Sequence, residues 1–276
     1  VKDRDPYYSS LNSRAVFYGK KIGGYLAILF RNVWIGDSLL RMGAIGPTGI
    51  HPDFRRKGFG TLLLQDAVKY MRERRVDVSI VHAAPDEFFR KSGWETVARK
   101  HSFCISTWDE PDRTDIAQRP LRRREPPVGY SVQPVTMEEL QSLMEVYEEA
   151  NRGDCCCVKR DPKIWERHFQ FIPKSYSLVL KKLGRTVGYV FASPAPQGET
   201  LQVTELGISP KYAFAADALL FYLLEKAWKD GFERIVSAPL TFIPMEHPFM
   251  DSVIDAGGVL KTQIAAGYDP QKRTWG

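Results

Sequence analysis

Residues 51–68 read "HPDFRRKGFGTLLLQDAV". In them three consecutive cations, Arg55, Arg56 and Lys57, run into Gly58, Phe59 and Gly60 ahead of an apolar-periodic stretch. These types at this spacing define a chemistry. A helix N-terminus leaves its first amides without intrahelical partners, and with the helix dipole they hold an anion, most often a phosphate. Gly58 and Gly60 let backbone approach a ligand with no Cβ in the way. The segment 55–60 reads as a cradle for a phosphate or pyrophosphate, or else as a basic structural turn. It is not a Walker A loop, because no Gly-Lys-Ser/Thr ends it, and its spacing is wrong for the dinucleotide fingerprint.

Other residues carry weaker signals. His82 follows an apolar strand and reads as a group facing a cleft or as a hydrogen-bonded structural histidine. His51 precedes Pro52, and its backbone amide is a better candidate for a role than its ring. Glu205 reads as a cleft carboxylate facing a substrate amine or as a paired structural acid. The four cysteines are Cys104 and the run Cys155, Cys156, Cys157. They have neither metal-ligand spacing nor a recognisable His and acid partner, so the expectation is reduced thiols in a cytoplasmic protein and no metal.

The cradle needs a strand before it and a helix after it, and the flanking pattern supplies both. "SRAVFYGKKIGGYLAILF" holds two β-rich runs around Gly19-Lys20-Lys21, a hairpin signal. "VWIGDSLLRMGAIG" turns at Gly36-Asp37 into a strand expected to reach about Ile50. The spacing then predicts a helix over about 60–74, with Leu63, Leu64, Ala67, Val68, Tyr70 and Met71 on one broad stripe. "VDVSIV" reads as a short strand, "PDEFFRKSG" as a short helix and "HSFCIS" as a strand completing this half. Residues 109–128 hold four prolines and many charges and read as a linker. Beyond it, Thr136 and Glu139 give a capping-box signature, and a hairpin is expected at Leu183-Gly184. A strand and a long amphipathic helix follow, "LQVTELGISPKYAFAADALLFYLLEKAWKDGF", repeating the plan of the first half.

The chain has 276 residues, 43% hydrophobic and 26% charged, with a net charge of +6. That balance is ordinary for a globular protein and does not establish nucleic-acid binding. Arg122, Arg123 and Arg124 read as a solvated run without aromatic interleaving, so no nucleic-acid partner is expected. No apolar run is long enough to span a membrane. There is no leader pattern at the start, which is Val1 rather than Met.

Arg55-x-x-Gly58-x-Gly60, after a strand and opening a helix, resembles the acyl-CoA pyrophosphate loop of the GNAT N-acetyltransferases. "FFRKSGW", with Phe89, Gly93 and Trp94, resembles the last short helix and turn of that family. The pattern is most similar to the multidomain enhanced intracellular survival branch. The resemblance implies an α/β fold of two tandem GNAT-like domains, each a mixed, mainly antiparallel sheet flanked by helices. It implies an acyl-CoA-binding domain over 1–108, a linker over 109–128 and a second, degenerate domain over 129–276. The second lacks the Arg-x-x-Gly-x-Gly loop, which argues against CoA binding there. The family's first strand and two helices precede the region where this chain starts, and the branch's third, sterol-carrier-like domain lies beyond Gly276. The expectation is a relative short at both ends or a fragment.

The activity implied is direct transfer of an acetyl group from acetyl-CoA, as co-substrate, to a small-molecule or peptide amine. Oxyanion donors and pantetheine contacts are implied at Gly49, Ile50 and His51. The remaining donor contacts are implied at Arg55, Arg56, Lys57, Gly58, Phe59, Gly60, Thr61 and Phe89. The family's usual tyrosine acid falls at Phe89, which has no proton to give. His82, His51 and Tyr25 are the substitutes, unless the thiolate leaves unaided. The alternative is a non-catalytic acyl-CoA-binding or interaction protein. The branch often assembles into rings, which leaves a homo-oligomer among the options.

Overall fold

The structure, a computed structural model, describes residues 5–82, 86–95, 99–107, 126–151, 157–196, 198–238, 243, 246–264, 268–269 and 274–275. The chain divides into two compact units. One is Val1–Ala98 with Gly153–Ile164 and Ile264–Gly276, and the other is Arg99–Arg152 with Trp165–Gln263. In chain order the first elements are β1 (Ser13–Tyr18), β2 (Lys21–Ile35), β3 (Ser38–Ile50), α1 (Phe59–Glu73), β4 (Val78–Val81) and α2 (Asp86–Arg90). There follow β5 (Arg99–Ser106), β6 (Tyr130–Pro134), α3 (Leu140–Ala150), β7 (Cys157–Val158) and α4 (Pro162–Phe171). The last are β8 (Leu178–Lys182), β9 (Arg185–Pro194), β10 (Thr200–Ile208), α5 (Ala216–Lys229), β11 (Arg234–Ser237), α6 (Pro248–Asp255) and β12 (Val259–Ile264). No helix among the described residues is long and apolar enough to cross a membrane.

In the first unit the sheet order is β1-β2-β3-β4, with β7 pairing with β2. β1, β2 and β3 run antiparallel, and β4 lies parallel to β3. The apolar stripe of α1 supplies the core: Leu63, Leu64, Ala67 and Met71 are buried against Leu26, Ile28, Ile45 and Phe89. Each large aliphatic chain so buried contributes about 1.5–3 kcal/mol. The periodicity that predicts this helix is therefore the packing that holds it on the sheet.

The second unit repeats the plan. Its sheet runs β12-β5-β11-β10-β9-β8-β6, with β10 and β11 parallel. Leu219, Leu220, Leu223, Leu224 and Ala227 of α5 are buried in its core.

Three expectations need correction. The segment "HSFCIS" is a strand, but as β5 it pairs antiparallel with β11 in the second sheet, Ile105 opposite Ile235. Phe103 and Ile105 are 3% and 1% exposed in that unit's core. Alternation specifies a strand with one buried face and leaves its partner open. The segment around β7 packs in the first unit, where Val158 pairs with Val33 and the Tyr7 hydroxyl donates to Asp161 at 2.5 Å. Thr136 forms no side-chain cap. Glu139, its expected capping-box partner, binds Thr186 Oγ1 and Lys181 Nζ instead, the latter at 2.5 Å. A charged partner outcompetes a backbone amide for that carboxylate. Cys104 is a free thiol. Most of the expected linker, and Arg122, Arg123, Arg124, Cys155 and Cys156, lie outside the described residues.

Candidate active site

The site is built on a fork between two parallel strands. β3 and β4 pair from Met42↔Val78 to Ile45↔Val81, where β4 ends and β3 continues to Ile50. At the same level β3 carries one extra residue against β2, because Leu26 pairs with Thr48 while Ile28 pairs with Ile45. The bulge falls at Gly46-Pro47, and a bulge re-aims a strand and interrupts its ladder. Pro47 adds no N–H to either edge. Beyond the bulge β3 stays on β2 through Tyr25↔Gly49 and Gly24↔Ile50.

Backbone alternation decides which amides face the fork. The His51 N–H donates to Gly23 O at 2.9 Å. Successive residues point to opposite edges, so Gly49 also faces β2 while Ile50 turns its N–H and C=O the other way. Arg55 Nε donates to Ile50 O at 3.3 Å, as that orientation requires. Of the three expected backbone donors, Ile50 is therefore the one aimed into the fork. The His51 amide is committed to β2, and its ring caps a 3-10 turn over Pro52–Phe54 by accepting the Asp53 N–H at 3.3 Å.

The mouth of α1 follows. Gly58 is its N-cap at φ +81°, with no side-chain cap. Only glycine holds that left-handed conformation without strain. The Gly58 carbonyl accepts the Leu62 N–H at 3.0 Å, which leaves the amides of the first turn without helical partners. A Cβ on Gly58 would meet nothing within 4 Å, so the mouth opens into space. Arg55, Arg56 and Lys57 are all exposed beside it. Phe59 packs away from the mouth on Phe54, centroids 5.4 Å apart, with Tyr18 completing the stack 5.5 Å from Phe54. Thr61 is exposed in the first turn. At Gly60 an added Cβ would lie 2.9 Å from Phe88 Cζ, so this glycine makes room for α2.

The expected proton-handling groups are placed differently. Tyr25 lines a shallow cleft of about 380 Å³ with Ile22, Gly24, Gly49, Ile50 and His51. Its hydroxyl lies 3.1 Å from Ser13 Oγ and 3.5 Å from Tyr8 Oη. The Ser13 hydrogen bond lowers its pKa, but Tyr8 and burial outweigh it and the phenol titrates above its ordinary value. His82 is exposed and is the first residue after β4, one register step beyond Ile45↔Val81, at the root of the fork. Phe89 does not line the mouth. It is 8% exposed in the core, edge-to-face with Phe88 at 5.1 Å and with Trp94 at 6.1 Å. The aromatic at the mouth is Phe88, one residue earlier and on another face of α2. A motif aligned on Gly93 alone cannot assign that phase.

In the second unit Glu205 is a paired acid: Tyr189 Oη donates to it at 2.9 Å and His168 Nε2 lies 3.2 Å away. Asp217 accepts from Ser252 Oγ.

Residues 1–97 match the family model described as acetyltransferase (GNAT) domain. No curated protein sequence matches the chain. A probable N-acyltransferase from Enterococcus faecalis V583 shares its fold at 15% identity and TM-score 0.67, over 91% of this chain and 60% of that one. Eis1 from Mycobacterium abscessus does so at 18% identity and TM-score 0.60, over 91% and 62%. A tandem GNAT protein from the clavulanic acid biosynthesis pathway does so at 15% identity and TM-score 0.54, over 93% and 82%. The chain spans about three fifths of the first two of these structures. It is built as two tandem GNAT-like domains, and its first 97 residues match the acetyltransferase domain model of that family.

Proposed function

We propose that the first unit binds an acyl-CoA, acetyl-CoA in the simplest case, and passes its acyl group directly to a primary amine on a small molecule or peptide. The observation that carries this reading is the junction itself. An open strand fork with one inward amide, Ile50, leads straight into an uncapped, glycine-lined helix mouth flanked by three cations. A CoA pyrophosphate fits the chemistry of that mouth: unpartnered amides, positive charge and no Cβ at Gly58.

The transfer forms a C–N bond between amine and carbonyl carbon and breaks the C–S bond, and the amine proton ends on a base. A lysine-like amine has a pKa near 10.4, so it must lose a proton to react. We assign that proton to His82, at the root of the fork, directly or through a water. The Ile50 N–H faces the developing oxyanion, the kind of preorganised donor worth about 10²–10³ in rate. Tyr25, with its raised pKa, stays protonated at neutral pH and serves as a donor, not as a base. A thiol pKa near ~8.5 makes the leaving group less dependent on an acid than an alkoxide is.

In the second unit, the 3-10 turn Pro210–Ala215 stands where the first unit has its glycine mouth. We assign no CoA to it. A second reading, an acyl-CoA-binding protein without turnover, is favoured by one observation: Phe89 sits in the core and brings no hydroxyl to the site.

Continuous detection of CoA thiol release with acetyl-CoA and a panel of primary amines separates the two. Saturable release that drops about 10²–10⁴-fold in His82→Ala supports transfer with His82 as base. Tight acetyl-CoA binding without release from any amine supports the second reading. Absence of binding refutes both.

A further inference from the structure

The β1–β2 hairpin ends in a tip to which the transfer chemistry gives no role. Its strands close in the register Phe17↔Ile22 and Tyr18↔Lys21, and Gly19 and Lys20 make the turn between them. Gly19 takes φ +58°, and a Cβ there would meet nothing within 4 Å, so the tip projects into solvent. Projecting turns are ordinarily polar. This one carries Phe17, Tyr18 and Ile22, which are 58%, 66% and 58% exposed. Cross-strand partners share a face, so Phe17 and Ile22 lie side by side on one face and Tyr18 beside Lys21 on the other.

The tip leans on the segment before α1. The Tyr18 ring packs on Phe54 and Phe59, centroids 5.5 and 6.4 Å apart, and Lys57 Nζ lies 5.7 Å from the centre of the Phe54 ring. The result is one surface with rings in the middle and cations around them. Residues 17–22 and 51–60 contribute Lys20, Lys21, Arg55, Arg56 and Lys57 against one carboxylate, Asp53. All five cations are exposed.

Shape and composition select the kind of partner. A projecting tip does not enclose a small molecule, which needs a concave site. The cores of protein–protein interfaces are depleted in lysine, whereas Lys20, Lys21 and Lys57 border these rings. Apolar and aromatic side chains bordered by lysine and arginine suit the surface of a bilayer. There the rings enter the headgroup region and the cations meet anionic lipid. We propose that the β1–β2 tip docks the first unit on an anionic lipid surface, with Phe17, Tyr18 and Ile22 entering the interface and Lys20, Lys21 and Lys57 holding the headgroups. The docking surface stands whether or not the mouth of α1 takes a CoA.

The test is co-sedimentation of the full 276-residue chain with two kinds of vesicle, beside light scattering of the chain alone. One kind is phosphatidylcholine, and the other is an equimolar mixture of phosphatidylcholine and phosphatidylserine. We expect binding to the mixed vesicles that weakens as salt rises, and little binding to phosphatidylcholine. Lys20→Ser/Lys21→Ser should weaken it about thirtyfold, the loss of two interfacial cations. Phe17→Ser/Tyr18→Ser should weaken it about tenfold, with circular dichroism checking that both variants keep their fold. Binding to neither vesicle, equal binding to both, or binding that Phe17→Ser/Tyr18→Ser leaves unchanged overturns the proposal. So does a dimer in light scattering that this variant dissociates, because the patch would then cover a second copy of the chain.

Discussion

Gly58→Ala separates what the mouth of α1 does for the fold from what it does for a ligand. Gly58 stands at φ +81°, and a Cβ there would touch nothing within 4 Å. The substitution therefore creates no clash, and its cost is the left-handed backbone alone, about 1–2 kcal/mol for an L-residue. At about 2–4 °C per kcal/mol, the ligand-free melting transition of the first unit should fall by about 2–8 °C. The ligand effect is separate. Acetyl-CoA at about 100 times its dissociation constant raises stability by about 2.7 kcal/mol. If the altered mouth costs about tenfold in affinity, the same concentration is only about 10 times the new constant, and the gain shrinks to about 1.4 kcal/mol. Scanning fluorimetry with and without acetyl-CoA reads both quantities. The expected result is a lower baseline and a ligand increment about halved. A lower baseline with an undiminished increment would show that the ligand binds elsewhere and would refute the mouth as its site. Gly49→Ala is the matching control for the baseline: its φ is ordinary and its Cβ also meets nothing within 4 Å.

Other parts of the structure give sharper stability tests. Phe89→Tyr places a hydroxyl in the core beside Phe88 and Trp94. It should destabilise by about 1–3 kcal/mol without raising turnover, and a rise in turnover would show that this position reaches the site after all. His247 accepts the Phe249 N–H on Nδ1 at 3.1 Å as the N-cap of α6, and burial pushes its pKa from 6.5 to about 4. The folded state thus holds fewer protons than the unfolded one below 6.5, so stability is full above that pH and falls as pH drops toward 4. The loss reaches about 3 kcal/mol, and His247→Asn, which keeps a capping side chain, should flatten the slope in urea titrations. Burial alone would raise the Glu139 carboxyl, but Lys181 and Thr186 hold it below its ordinary value. Its contribution is present above about 4.5 and is lost as pH falls further. Glu139→Gln should cost about 3 kcal/mol by leaving Lys181 without its counter-charge, and an unchanged urea midpoint would refute that pairing.

The run from residue 38 to residue 73 is legible in the sequence because local rules and tertiary packing agree there. The stripe of α1 is both helical and core-forming, and the glycines fall where the backbone needs them. The fork is less legible. The bulge at Gly46-Pro47 depends on how β3 registers on β2, and no one-strand pattern specifies that. It is the bulge and the strand phase that leave Ile50 as the inward amide and commit His51 to β2. Phe88 and Phe89 are adjacent identical residues, and only the packing of α2 tells which faces Gly60 and which enters the core. β5 follows the first half in sequence yet joins the second sheet, because a short alternating strand carries no label for its sheet. The Thr136–Glu139 signature describes a real local option that the longer-range ion pair with Lys181 displaces.

The two units also show which part of the site comes from the fold and which from a few residues. In the second unit β10 pairs parallel with β11 as far as Val203↔Ser237 and then runs on to Ile208. It too carries an extra residue, between Val203 and Glu205, against β9. The fork and bulge are thus present twice. The mouth is not. Pro210–Ala215 forms a 3-10 turn ahead of α5, and its Tyr212 and Phe214 pack on Tyr130 at 6.3 and 5.8 Å. A Cβ at Gly207 would meet the Tyr189 ring at 2.7 Å, so ring carbons fill the space beside that strand end. Aromatic side chains in place of open backbone leave no seat for a pyrophosphate. The consequence is a stoichiometry: titration should give one CoA per chain, abolished or weakened by changes at Gly58. Two sites per chain would mean that the fork alone suffices to bind the donor, and the weight placed on the six residues from Arg55 to Gly60 would be misplaced.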